Sequence, residues 1–272
     1  MSDTVNTEPA LEQKACALCG EEHDLQDSHL LPKHFYRYME KMKKGGTKLQ
    51  LKNNKGFLLN LTRQITQYLL GVNCEQRFSK LGEAYFSTLI FPKPSEAPAI
   101  YQHLKGLKDS NLYGSDVPDL DAKQLYYFAL SIVWRAAQPG WPSYTSISLP
   151  EVDLADIKKF LLSDGASKYP PGYCVELSIS PIPSKVWTAS FPQPTSEGNI
   201  FFNFTAVEFH VVKNPYAFDI YSHPRQGGVP IIYKKQIKRS QNFAAGLINS
   251  YEKSTAVKNV VRLGQDPEVT DS

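Results

Sequence analysis

The sequence predicts an α+β protein with an N-terminal cysteine-knuckle module, a helical middle and an antiparallel β-rich C-terminal half. Three observations predict it. A Cys-x-x-Cys turn, "CALCG", stands at 16–20. One long apolar helix, "DAKQLYYFALSIVWRAA", occupies 121–137. From 172 onward, runs rich in Val, Ile, Phe and Tyr, such as "YCVELSIS" and "NIFFNFTAVEFHVV", are separated by Pro, Gly and Asn. The expected organisation is a tail over 1–13, the knuckle module over 14–92 and a helical linker region over 93–165. A β-rich domain over 166–264 and a second tail over 265–272 complete it.

Each element has its own signal. In "PKHFYRYMEKM" the residues Phe35, Met39 and Met42 fall on one helical face, with Pro32 at the first turn. The GG and NNKG turn signals in "KKGGTKLQLKNNKGFLLNLTRQ" predict a hairpin. "CEQRFSKLGEAYFSTLIF" returns to helical spacing through Phe78, Leu81, Tyr85 and Leu89. Residues 93–118, rich in Pro, Gly and Ser, read as a connection. In 121–137 the apolar stripe runs through Leu125, Phe128, Ala129, Ile132, Val133 and Ala136, and Asp121 with Gln124 forms a capping pair. A further helix is expected over 151–162 and a closing one over 241–263.

Composition limits the class. Of 272 residues 42% are hydrophobic and 21% charged, which are globular values. No apolar run reaches about 18 residues, so no membrane span is expected. The polar start lacks a secretion signal, and the expected location is the cytoplasm. Four cysteines, only two of them close in sequence, do not make a disulfide framework. The net charge of +3 is unevenly spread. Residues 29–80 hold eleven Lys/Arg against two Glu, and 225–262 hold eight against one. Such segregation suits a polyanion as well as a solvated basic face.

Zinc in a structural site takes four tetrahedral Cys or His ligands, often two from a tight C-x2-C turn and two from a distant element. Cys16 and Cys19 supply the first half. Cys74 sits where a helix begins, and unpaired backbone N–H groups there favour a thiolate. A second C-x2-C is absent, because Gly71 stands three residues before Cys74. His23 is the expected fourth ligand, with Asp27, His29 and Glu75 as other candidates. The competing reading is three reduced core thiols. Cys174, in the β half, reads as a small buried apolar residue.

His29 follows the knuckle by ten residues and opens the basic segment. An imidazole near neutral pKa can take a proton from water, and a hard ion such as Mg²⁺ can hold a scissile phosphate. Asp27, Glu75 and Glu83 could supply oxygen ligands for such an ion. Lys33, Arg37, Arg63 and Arg77 are the expected phosphate contacts. His34 could face the same pocket or solvent. Tyr36 and Tyr38 read as packing residues.

The stretch "CALCG…DSHLLPKHFYR…QYLLGVNCEQRFSKLGEAYF" resembles the zinc-knuckle branch of the HNH, or ββα-metal, nucleases. It is closer still to a group of bacterial HNH-like proteins with a Ser-His-aliphatic-aliphatic-Pro element and a Leu-Leu-Cys-x-x-Cys-Glu helix start. The resemblance covers about residues 14–92. It implies that Cys16, Cys19 and Cys74 hold a structural zinc and that His29 is a general base. Three positions depart from the pattern. Gly71 replaces a cysteine, Ser28 stands where an acidic metal ligand is common, and Glu75 stands where Asn or His is common. Glu75 would then have taken over a metal-binding, catalytic role.

The expected function is therefore metal-dependent phosphodiester hydrolysis of DNA or RNA, in the setting of defence against foreign DNA by analogy. The β half would serve as a sensor or protein-partner surface. Two other readings stand beside it: a non-catalytic zinc-knuckle module binding nucleic acid or protein, and a thiol redox protein. The second lacks the strand-helix context that follows a redox C-x-x-C.

Overall fold

The computed structural model describes residues 14–44, 50–52, 58–60, 64–91, 98–104, 112–113, 117, 119–170, 172–179, 188–204, 207–213 and 228–235. The expected tails and the closing helix over 241–263 lie outside the described residues, as do both turn signals of the hairpin, Arg63 and most of the 225–262 basic run.

The N-terminal part is built on two small sheets. β1 (Lys14–Ala15) pairs with β2 (Glu22–His23), and the knuckle is the turn between them. β3 (Leu25–His29) pairs antiparallel with β6 (Thr66–Gly71). Between those two strands the chain forms α1 (Lys33–Lys44), β4 (Gln50–Lys52) and β5 (Leu58–Asn60). In α1 the expected face is buried at Phe35 and Met39.

β6 runs straight into α2 (Val72–Phe78), a π-helical turn (Ser79–Glu83) and α3 (Ala84–Ile90). The π turn lies where the helix crosses α5 (Ala122–Ala137). There Gly82 meets the Phe128 backbone so closely that a Cβ would lie 2.9 Å from its Cα. The residue must be glycine for the two helices to approach.

α5 starts as its capping pair predicts, with the Asp121 carboxylate accepting from the Gln124 N–H at 3.0 Å. Every residue from Leu125 to Ala136 is buried, so the helix is enclosed on all sides rather than along one stripe. Its neighbour α6 (Glu151–Leu162) matches the expected bounds. The supposed connection over 93–118 contains α4 (Ile100–Leu104) and β7 (Leu112–Tyr113).

The C-terminal half supplies β8 (Tyr173–Ile179), β9 (Thr188–Pro194), β10 (Ile200–Phe204), β11 (Val207–Lys213) and β12 (Ile231–Lys235). They form one sheet of eight strands in the order β5-β4-β9-β10-β11-β8-β12-β7. The antiparallel expectation holds for β9-β10-β11-β8, while β4-β9 and β8-β12 pair in parallel. Strands from 50–60 and 112–113 thus edge a sheet whose centre comes from 173–235. Among the described residues one apolar cluster runs from Cys16 to Tyr233. Its centre is aromatic: Phe86 stacks on Phe128 with centroids 3.9 Å apart, and Phe204 and Phe209 close around them. No helix among the described residues is long and apolar enough to cross a membrane.

Candidate metal centre

The knuckle is shaped by its backbone. The Cys16 N–H donates to the Glu21 carbonyl and the Gly20 N–H to the Cys16 carbonyl, both at 2.8 Å. Gly20 has φ +82, a left-handed conformation that closes the turn. Two outside contacts fix the knuckle. The Ala17 N–H donates to the Leu69 carbonyl of β6 at 3.0 Å, and Lys158 Nζ of α6 donates to the Ala17 carbonyl at 3.1 Å.

The turn meets the first turn of α2. The sulfurs of Cys16, Cys19 and Cys74 all lie within 4.8 Å of one another, and all three thiols are free. Tetrahedral Zn–S bonds of ~2.3 Å would place sulfurs about 3.8 Å apart, so an ion requires a contraction of about an ångström at most. Their electrostatics differ. Burial raises the Cys16 pKa, but backbone N–H groups of Cys19, Gly71 and Leu18 outweigh it and bring the thiol below its ordinary value. Cys74 is pushed up to about 12, first by burial and then by the thiols beside it. Cys16 is thus shifted toward the thiolate while Cys74 resists ionisation beside it, a conflict that a cation relieves.

Among the described residues no further Asp, Glu or His joins this trio. The backbone of His23 is in β2, opposite Lys14, and its side chain lies outside the described residues. Glu75 follows Cys74 on α2, half-buried, with Oε1 buried and unpartnered among the described residues.

His29 ends β3, one element away. The β3–β6 register shifts between Gln26 and Asp27, so that Leu69 is left without a partner on β3. The displaced backbone is put to use: the Leu69 carbonyl accepts from the knuckle, and the Leu70 N–H donates to the buried Ser28 hydroxyl at 3.1 Å. Ser28 therefore faces inward at 0% exposure and satisfies a bulge, and an acidic side chain there could not reach an ion on the open face. Strand alternation sends Asp27 and His29 to that open face, across from Tyr68 and Thr66 respectively.

Several expected partners of His29 are elsewhere. Glu83 is buried in an ion pair with Arg135 of α5, which corrects its reading as an ion ligand. Arg77, expected as a phosphate contact, is engaged elsewhere: its Nη1 donates to the Leu162 carbonyl and pairs with Asp164 at 3.2 Å, clasping α2 to the end of α6. Lys33, His34 and Arg37 are exposed on α1. Tyr36 is buried and Tyr38 half-buried against Phe91, as packing residues.

Two contacts hold the imidazole and a third holds its backbone. Nε2 hydrogen-bonds the Gln64 Oε1, the ring lies 5.7 Å from the Tyr36 ring, and the His29 carbonyl accepts from Arg135 Nη1 at 2.8 Å. With the Gln64 amide so oriented, Nε2 carries the proton and Nδ1 is the basic nitrogen.

Sequence reading missed Gln64, Tyr68 and Arg135. Arg135 had a signal, a charge inside an apolar helix, because such a helix is enclosed and its charge needs a buried partner. No protein-family model matches the chain, and neither a curated protein nor a solved structure shows detectable similarity to it.

Proposed function

We propose that this protein is a zinc-stabilised, HNH-like phosphodiesterase acting on nucleic acid, with His29 as general base. One observation carries the reading: Asp27 and His29 share the open face of β3, which pairs with β6, the strand bonded to the knuckle through Leu69. Cys16, Cys19 and Cys74 would hold a zinc ion with a purely architectural role, and His23 is the first candidate for its fourth ligand. The reacting groups are the chain's own. His29 takes a proton from the attacking water at Nδ1, and the Gln64 contact keeps the ring in that tautomer. Among the described residues, Asp27 is the carboxylate that strand alternation places on this face with the imidazole. Mg²⁺ commonly binds through one or two carboxylates plus substrate phosphate, so a single Asp meets its need. Bound there, it would supply charge stabilisation at the phosphate.

The test is cleavage of labelled DNA and RNA with added Mg²⁺ or Mn²⁺. Wild type cuts, and His29→Ala loses about 10²–10⁴-fold, the usual contribution of a general base. Metal-independent cutting, or full activity in His29→Ala, overturns the mechanism.

A second reading, a non-catalytic nucleic-acid-binding module, has its own support. Among the described residues no set of three His, Cys, Asp or Glu side chains converges at His29. Salt-dependent binding without cleavage in any divalent ion would decide for it.

A further inference from the structure

Three large apolar side chains among the described residues are exposed: Tyr68 at 65%, Val72 at 47% and Val152 at 66%. Val152 lies on α6. Tyr68 lies in the middle of β6 and Val72 at the start of α2, on the unit that carries His29. Tyr68 is paired with Asp27, and its neighbour on the same face, Thr66, is paired with His29. Its side chain is therefore the diagonal neighbour of the imidazole, a spacing of ~7–8 Å between such positions in a sheet.

A tyrosine exposed in a strand can be bland, since single exposed apolar residues are common. Two things set this one apart. It shares its face with an acid and an imidazole. The adjoining helix is also basic: Lys33, Arg37 and Lys41 are all exposed at i, i+4 and i+8, one stripe along α1. The contact between the His29 and Tyr36 rings places the first turns of α1 beside the imidazole. An exposed aromatic ring thus stands diagonal to His29, and the helix whose Tyr36 touches the imidazole carries a row of exposed cations. Single-stranded nucleic acid has the matching chemistry, with a phosphate chain for the cations and unpaired bases that stack on an aromatic ring. A duplex offers the phosphates but keeps its bases stacked inside.

We infer that the His29 face takes single-stranded nucleic acid, with a base stacked on Tyr68 and the backbone on Lys33, Arg37 and Lys41. The inference rests on the proposed nucleic-acid function of this face and specifies its substrate. Tyr68 is a binding residue here, outside the chemical step.

The test is binding of a fluorescein-labelled dT20 strand, and of the same length of duplex, to the full-length protein without added divalent ion. Single strand is expected to bind at least tenfold tighter than duplex. One stacked base contributes about 1–3 kcal/mol, so Tyr68→Ala should weaken dT20 binding roughly 5- to 150-fold, while Tyr68→Trp retains it. Arg37→Glu should weaken binding and flatten its salt dependence. Val152→Ala, an exposed change elsewhere, should alter nothing. Equal affinity of Tyr68→Ala and wild type for dT20, preference for duplex, or no binding to either overturns the inference. Its fate is separable from that of the nuclease reading. Tyr68-dependent binding without cleavage removes the nuclease and keeps the inference. Duplex cleavage unaffected by Tyr68→Ala does the reverse.

Discussion

The thiol-centred unit and the eight-stranded sheet both bury a cysteine completely or nearly so, yet with opposite consequences. Cys174 of β8 is pushed up to about 12 by burial and by Glu176 nearby. Cys16 is as well hidden, but backbone N–H groups bring its pKa down. The sheet packs Phe204 and Phe209 against Phe86 and Phe128 of the helices, whereas the N-terminal unit adds directed polar contacts to its own apolar core of Leu18, Leu30, Phe35 and Leu70. The Ala17–Leu69 bond ties the knuckle to β6, the Ser28–Leu70 bond ties β3 to β6, and three free sulfurs converge between the knuckle and α2. A unit held this way owes its geometry to a few groups, so single substitutions should separate the two regions cleanly.

The largest separation should come from the ion. Cys74→Ala, or a chelator, should remove about 5 kcal/mol or more. For a chain of this size that is a fall in Tm on the order of 10–20 °C. Hydrogen exchange should show protection lost first in β3, β6 and α2, and last in β8, β10 and β11. Loss of protection at equal rates in both regions would erase the comparison.

The two regions should also respond to pH with opposite sign. An ion held by thiolates is bound with release of protons, so its contribution grows with pH up to the ordinary thiol value of ~8.5–9. Cys174 contributes by staying neutral. Its share is complete below the ordinary thiol pKa and is lost as pH rises from there to its folded value of about 12. Tm measured from pH 6 to 10 should therefore rise and then fall. Chelation should abolish the rise, and Cys174→Ala should soften the fall.

Arg135 ties the regions together. Its guanidinium lies 4.9 Å over the Phe78 ring, pairs with Glu83 and supports the His29 carbonyl. Arg135→Met leaves Glu83 buried and uncompensated, at a cost of about 3–5 kcal/mol in urea unfolding. Adding Glu83→Leu should recover much of that loss. A double variant as unstable as the sum of the singles would show that the pair does not act as one unit.

Helices announce themselves locally, so the Asp121–Gln124 cap and the Glu151–Leu162 span were legible in the sequence. The Cys16, Cys19 and Cys74 trio was legible because a tight C-x2-C turn has few other uses. Non-local pairing was not. Nothing in "QLK" announces that β4 will lie parallel to β9 more than a hundred residues on, and nothing in 112–113 announces its pairing with β12. Tyr68 was illegible for a related reason: its exposure depends on which face of β6 is covered, and that is set by a register shift at Gln26. The same shift explains Ser28, which sequence alone presents as a missing acid.

Ser28 and Asp27 are neighbours on opposite faces, and they bring the comparison down to two residues. Ser28→Ala leaves the buried Leu70 N–H unsatisfied and should cost about 1–3 kcal/mol, with the strand end that carries His29 loosened. Ser28→Asp should cost more, because a carboxylate would be buried there, and it should not raise cleavage as a restored metal ligand would. Asp27→Asn is the smallest change in stability, since the side chain is exposed. Substitutions at such surfaces stay within about 0.5 kcal/mol. Its effect belongs to function. If Asp27 holds the divalent ion, the variant keeps its Tm and its dT20 binding but needs far more Mg²⁺ to cut. If Asp27→Asn instead cuts at the wild-type Mg²⁺ requirement, the ion is held by other groups, and the open face owes its chemistry to His29 without Asp27.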